Sequence, residues 1–187
     1  VKYLIVGLGN IGEEYNQTRH NIGFEIIDAF AQEAGASFFL DRLAHYALIK
    51  YKGKQLHTIK PTTYMNLSGG AVRYWLQHLN IPKENMLVVL DDLALPFGTI
   101  RMKSKGSDAG HNGLKNINEL LASQEYPRLR FGIGNNFSKG KQVNYVLGKW
   151  NAEENKLLPE LIKKSTEAIQ GFVTIGIERS MNLINTK

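Results

Sequence analysis

The chain has 187 residues, of which 43% are hydrophobic and 21% charged, a balance that fits one globular domain over residues 1–187 and excludes disordered, collagen-like and low-complexity classes. It contains no cysteine, which excludes a disulfide framework, a thiolate nucleophile and a Cys-built zinc site. The formal net charge is +6, and its placement says more than its size.

Residues 99–149 hold nine basic side chains (Arg101, Lys103, Lys105, Lys115, Arg128, Arg130, Lys139, Lys141 and Lys149) against three acidic ones (Asp108, Glu119 and Glu125), so this window carries the whole excess. A field that attracts a polyanion is centred there, although charge alone leaves open a merely basic, soluble surface. No apolar run approaches the roughly 20 residues that span a bilayer, and no basic, apolar leader precedes the first apolar run. The expectation is a soluble, cytoplasmic protein with no membrane association.

Residues 3–8 form a continuous apolar run ending in glycine, the pattern of a central strand buried on both faces. Ile22, Phe24, Ile26, Ile27, Phe30, Ala31 and Ala34 recur at mostly helical spacing, and Gly35 supplies the stop. Residues 45–51 and 55–60 flank a short polar turn containing glycine and read as a hairpin. A second helix is expected over 67–79, with Val72, Trp75, Leu76 and Leu79 on its apolar stripe and Asn66 as its N-cap. Residues 86–90 read as another buried strand ending at Asp91 and Asp92, and 98–103 as a strand returning after the Pro96 turn. Residues 113–121 read as a short helix, 128–133 as a half-buried strand and 153–172 as an amphipathic C-terminal helix. Strands interleaved with helices, without linker or repeat, predict an α/β fold in a single domain: a mixed, mostly parallel β-sheet flanked by α-helices.

The stretch GLGNIG (7–12) matches the dinucleotide-binding pattern G-x-G-x-x-G directly after a strand. Its context argues against that use, because EEYNQTR (13–19) is polar, opens on two carboxylates and carries no apolar helical period. The glycines can instead make a tight turn that presents Asn10 at the mouth of the strand. His20 then lies just before the first helix, where an imidazole with an unperturbed pKa near about 6.5 suits a general base. Read alone, a capping or surface histidine is the blander alternative.

In PTTYMNLSG (61–69) an amide can cap a helix or bind substrate, and Ser68 lacks the G-x-S-x-G of a nucleophile elbow, so water is the expected nucleophile of any ester or amide hydrolysis. Asp91 and Asp92, at the end of a buried strand, offer a carboxylate that can orient an imidazole. The stretch KSKGSDAGHNGLK (103–115) is a glycine-rich basic loop running into a helix, able to bring amides and ammonium groups to phosphate but without the ending of a P-loop. The five histidines are scattered without metal-binding spacing, so no metal site and no cofactor are expected; His45, His57 and His78 read as structural or surface residues.

Taken in order, GLGNIG, TRHN (18–21), PTTYMNLSG, DDLALP (91–96) and GHNGLK (110–115) resemble the bacterial-type peptidyl-tRNA hydrolases. The likeness continues through RLRFGIG (128–134), YVLG (145–148) and Met181-Asn182, over nearly the whole chain. The resemblance implies a monomeric, metal-independent α/β enzyme with no cofactor and no obligate protein partner. Such an enzyme cleaves the ester that joins a peptide to the 3′ end of tRNA and recycles tRNA from aborted translation. The resemblance also implies that His20 is the base activating water, that Asp91 orients it and that Asn10 completes the catalytic set. Tyr15, Tyr64, Asn66, His111 and Asn112 would bind the peptide and the 3′-terminal nucleotide, and Lys103 and Arg130 would meet phosphates of the acceptor stem. Four positions depart from the family pattern: Ile11 stands for a usual proline, Leu90 for a common histidine, Ala94 for a common aspartate and Ala109 for an expected glycine. None removes an implied catalytic group. The competing readings are a dinucleotide-dependent oxidoreductase and a non-catalytic RNA-binding module.

Overall fold

In the computed structural model, which describes residues 1–185, seven strands form one sheet. They are β1 (Lys2–Gly7), β2 (Phe39–Asp41), β3 (Ala44–Tyr51), β4 (Lys54–Pro61), β5 (Met86–Asp92), β6 (Ile100–Lys103) and β7 (Arg128–Gly132), in the spatial order β2-β3-β4-β1-β5-β7-β6. The strands β4, β1, β5 and β7 pair in parallel, while β3 and β6 run against their neighbours. Because β2 reverses direction again beside β3, the sheet is mixed and mostly parallel. Five helices accompany it: α1 (Ile22–Glu33), α2 (Ser68–Leu79), α3 (Asn112–Leu121), α4 (Gln142–Val146) and α5 (Ala152–Ile184).

Alternation along the central strands sorts the interior into two layers. Ile5, Leu87, Val89, Leu129 and Phe131 pack with Ile26, Ile27 and Phe30 of α1 and with Leu161, Ile169 and Phe172 of α5. Leu4, Val6, Val88 and Leu90 pack with Val72, Trp75 and Leu76 of α2 and with Leu114 and Ile117 of α3. Both faces of β1 and β5 are covered, which is why the runs at 3–8 and 86–90 show no period of two. Each large apolar side chain buried there contributes about 1.5–3 kcal/mol of transfer free energy. Among the described residues no helix is long and apolar enough to cross a membrane.

The glycines after β1 serve packing. A Cβ on Gly7 would stand 2.5 Å from the Gly23 carbonyl oxygen, and one on Gly23 would stand 2.5 Å from the Leu8 carbonyl oxygen. Strand and helix therefore meet backbone to backbone. No α-helix opens on GLGNIG; a single 3₁₀ turn (Glu13–Tyr15) follows it, and the dinucleotide reading loses the helix N-terminus it needs.

Several elements differ from the sequence-based expectation. Asn66 does not cap α2: it is exposed within a 3₁₀ turn (Met65–Leu67) closed by the Leu67 N–H on the Tyr64 carbonyl, so the position before the helix passes to Leu67. The strand β7 is almost fully buried, because it lies between β5 and β6 and its Arg128 donates to the carbonyl oxygens of Gly106 and Gln124. The short β2 and α4 were not anticipated. Helix α5 runs past 172 to Ile184, with Gly176 at φ +85 dividing it. Its second stretch carries Asn185 to the outer side of β6, where the side-chain amide accepts from the Met102 N–H at 2.9 Å and donates to the Met102 carbonyl at 3.0 Å.

Candidate active site

The carboxyl ends of the parallel strands β1 and β5 lie side by side, in the place where open α/β sheets gather ligands. From β5 comes Asp91, 2% exposed. Its Oδ2 meets His20 Nδ1 at 2.8 Å, and its Oδ1 meets His111 Nε2 at 2.8 Å. His20 stands on a 3₁₀ turn (Arg19–Asn21) that feeds α1, and His111 is the residue before α3.

The proton positions follow from the partners. His111 Nδ1 accepts from the Gly113 and Leu114 N–H groups at 3.1 and 3.4 Å, so its proton sits on Nε2 and points at Asp91. The imidazole is thereby the N-cap of α3. Asp91 accepts from both rings, and His20 donates through Nδ1. That leaves His20 Nε2 unprotonated and without a protein partner, on the wall of a cavity of about 110 Å³. Burial pulls the His20 imidazole down, but the charge of Asp91 and its hydrogen bond prevail, and the pKa is raised above the ordinary histidine value. Burial likewise opposes ionisation of Asp91, yet the two imidazoles hold its carboxyl well below the usual carboxylate range. The arrangement can accept a proton at one nitrogen while the resulting cation is stabilised at the other.

Among the described residues, His20, Asp91 and His111 bring ligand atoms within 4.8 Å of one another, close enough for a metal ion. The His111 tautomer does not suit that use. A metal at its protonated Nε2 would require the ring to abandon its cap on α3.

Asparagines tie the other side of the site together. The Asn10 N–H donates to Asn21 Oδ1 and the Asn21 Nδ2–H donates to the Asn10 carbonyl, both at 2.8 Å, locking the loop after β1 to the turn that carries His20. The Asn10 Oδ1 accepts from the Met65 N–H at 2.7 Å, which sets the amide and leaves Nδ2 as a donor with no protein partner. Asn116 Oδ1 accepts from the Gly69 N–H at 2.7 Å, joining α3 to the start of α2. A Cβ on Gly113 would come within 3.0 Å of Met65 Sδ, Leu8 Cδ1 and His111 Cε1, so these contacts close around a glycine.

The remaining residues singled out in the sequence fall into three groups. Tyr15 and Tyr64 stand edge to face with ring centroids 6.4 Å apart, Tyr64 being exposed. Asn66 is exposed, as is Asn112 at the first position of α3; neither hydrogen-bonds to the histidines or to Asp91. His111, expected to bind substrate, has both ring nitrogens engaged by the protein. The register of β6 and β7 sets Lys103 opposite Arg128 and Arg101 opposite Arg130, so these four cations share one face while Ile100, Met102, Leu129 and Phe131 enter the core. Lys103 is exposed, and Arg130 Nη1 donates to Asp92 Oδ2 at 2.8 Å. His20, Asp91, Lys103 and Arg130 line the same cavity. Sequence reasoning missed the parts played by Asn21, Asn116 and Asp92. Asn21 left a signal in its place beside His20 in TRHN and Asp92 in its place beside Asp91 in DDLALP, whereas Asn116 left none.

Fold and site together define a hydrolase built on an open α/β sheet, with a buried carboxylate–imidazole pair at the strand ends. The sequence profile of the peptidyl-tRNA hydrolase family matches residues 4–187. The chain is 59% identical over 187 residues to a peptidyl-tRNA hydrolase of Cytophaga hutchinsonii, covering 100% of both chains. It is 58% identical over 185 residues to one of Porphyromonas gingivalis, covering 99% of this chain and 100% of that one. The crystal structure of peptidyl-tRNA hydrolase from Acinetobacter baumannii superposes with a TM-score of 0.93 at 35% identity, covering 98% of this chain and 94% of that one. The chain belongs to the peptidyl-tRNA hydrolase family.

Proposed function

We propose that the protein hydrolyses the ester bond between a peptide, or an N-blocked aminoacyl group, and the 3′ end of tRNA, releasing free tRNA. Membership of the family supports the substrate. The observation that carries the chemistry is the His20–Asp91 contact at 2.8 Å with Nε2 left open. A water at Nε2 gives that nitrogen a proton as its oxygen attacks the ester carbonyl carbon. Asn10 Nδ2, unclaimed by the protein, donates to the oxyanion that develops. Asp91 stabilises the imidazolium, whose proton passes to the leaving ribose oxygen when the tetrahedral intermediate collapses. The peptide leaves as a carboxylic acid and the tRNA with a free 3′-terminal hydroxyl.

On the substrate side, Tyr15, Tyr64, Asn66 and Asn112 bind the peptide and terminal nucleotide, and Lys103 and Arg130 take phosphates of the acceptor stem. The basic face of β6–β7 supports that division, since it concentrates cations beside the dyad. No metal or other cofactor enters this mechanism. We place the protein in the cytoplasm, which its lack of cysteine suits, as a monomer without an obligate protein partner. The test is release of an N-acetyl-aminoacyl group from its tRNA in EDTA, with free α-amino aminoacyl-tRNA as control. The wild type cleaves only the blocked ester, and His20→Ala loses about 10²- to 10⁴-fold of that rate. An inactive wild type that still binds tRNA would leave the RNA-binding reading in its place, and a fully active His20→Ala would remove the base.

A further inference from the structure

We propose that Asp92 is a brake on tRNA affinity: its carboxylate occupies the Arg130 guanidinium that a substrate phosphate would otherwise take, and so sets how readily the product departs. The inference rests on the phosphate role given to Arg130 above.

Asp91 and Asp92 are neighbours on β5, and successive side chains on a strand point to opposite faces. Asp91 goes to the two imidazoles; Asp92 goes to the basic face. The Asp92 Oδ1 accepts from the Ala94 N–H at 2.8 Å, which fixes the carboxylate, and its Oδ2 accepts from Arg130 Nη1 at 2.8 Å. The two side chains are 16% exposed for Arg130 and 10% for Asp92, so dissolved salt screens the pair poorly. Contact is through one nitrogen, and Arg130 Nε is buried without a partner.

A phosphate that reaches Arg130 has two routes. It can share the guanidinium with a carboxylate of its own sign, or it can draw the guanidinium away and leave Asp92 buried and unpaired. Both weaken phosphate binding. Lys103, on the same face, makes no ion pair among the described residues and carries no such brake.

The chemistry explains why a brake has value. Hydrolysis of the ester leaves every phosphate of the tRNA in place, so contacts to phosphate hold substrate and product alike. Uniform binding of that kind lowers KM without raising kcat, and when strong it makes release the slow step. A carboxylate placed against the phosphate-binding cation limits it.

Asp92→Asn keeps an oxygen for the Ala94 N–H and removes the charge; Asp92→Ser is the second variant. For deacylated tRNA, both are expected to bind about 3- to 10-fold tighter than the wild type, with a salt dependence steeper by about one charge. On N-acetyl-aminoacyl-tRNA, KM and kcat fall together as release becomes limiting. In an Arg130→Gln background, Asp92→Asn gains nothing. Unchanged or weaker affinity in the folded variants overturns the proposal, as does an equal gain in the Arg130→Gln background. Loss of the fold in both variants, read by circular dichroism, makes Asp92 structural and also overturns it. If Arg130→Gln itself leaves affinity and salt dependence untouched, the phosphate reading falls and takes the brake with it. If Arg130→Gln weakens binding and the Asp92 variants do not tighten it, only the brake falls.

Discussion

His20 and His57 are both buried, 9% and 6% exposed, and each engages Nδ1 in one short hydrogen bond: His20 with Asp91 at 2.8 Å, His57 with the Tyr46 hydroxyl at 2.6 Å. Burial lowers the basicity of both rings. At His20 the Asp91 carboxylate reverses that effect, whereas at His57 nothing does, and the charge of Lys2 pushes it further down. The second nitrogens differ as well. His57 Nε2 is buried with no partner, while His20 lines the cavity. A buried imidazole becomes a base when one nitrogen has an anionic partner and the other has open space, and only His20 meets both conditions.

The largest test of that contrast exchanges the two rings for methyl groups. His20→Ala lowers kcat/KM on N-acetyl-aminoacyl-tRNA by about 10²- to 10⁴-fold, while His57→Ala, assayed where it is folded, keeps a rate near wild type. A large rate loss at His57 would break the comparison.

Asp91→Asn is next, with a loss of about 10²-fold or more at pH 8. It also separates charge from burial. The base acts when neutral, so the acidic limb of the wild-type pH profile lies above the ordinary histidine pKa and shifts to lower pH in Asp91→Asn. The stability linked to a raised histidine pKa is fully present below the unfolded value and is lost as pH rises through the folded one. The melting-temperature gap between wild type and Asp91→Asn therefore narrows from pH 5.5 to pH 9, and a gap that widens would contradict the ion pair.

Lys103→Ala has a smaller effect, weakening the tRNA substrate several-fold and reducing its salt slope by about one. A minimal ester lacking the acceptor stem changes far less; equal losses on both would end the phosphate role. Smallest is Tyr46→Phe. It leaves His57 Nδ1 unpartnered, so denaturant unfolding should show a loss of about 1–3 kcal/mol with the catalytic rate unmoved.

Much of the fold was legible because burial on both faces writes itself as apolar runs, at 3–8 and 86–90, and burial on one face as the stripe of α1. The hairpin turn was equally plain: Lys52 and Gly53 both take positive φ, 47 and 78, as a two-residue connection demands. The three residues of β2, with Phe39 and Leu40 exposed, carry no period to read, and α4 is too short to show one. These pieces exist because of what they lie against. The site was legible only as an ordered set of motifs, since His20 and Asp91 are 71 residues apart in the chain and only the fold joins them. His111 capping α3, Asn21 gripping Asn10 and Asp92 pairing with Arg130 each depend on a partner no local pattern announces.

The strand β6 is outermost, and an open strand edge invites pairing with any extended chain. The Asn185 amide imitates a peptide unit and takes both outward groups of Met102. The two residues are 83 positions apart, and synthesis at about 5–20 residues per second separates their appearance by roughly 4 to 17 s. For that interval a nascent chain that has already formed its sheet presents an unsealed edge. Truncation before Asn185 would make the interval permanent, so shortened chains should be recovered as aggregates sooner than as inactive monomers.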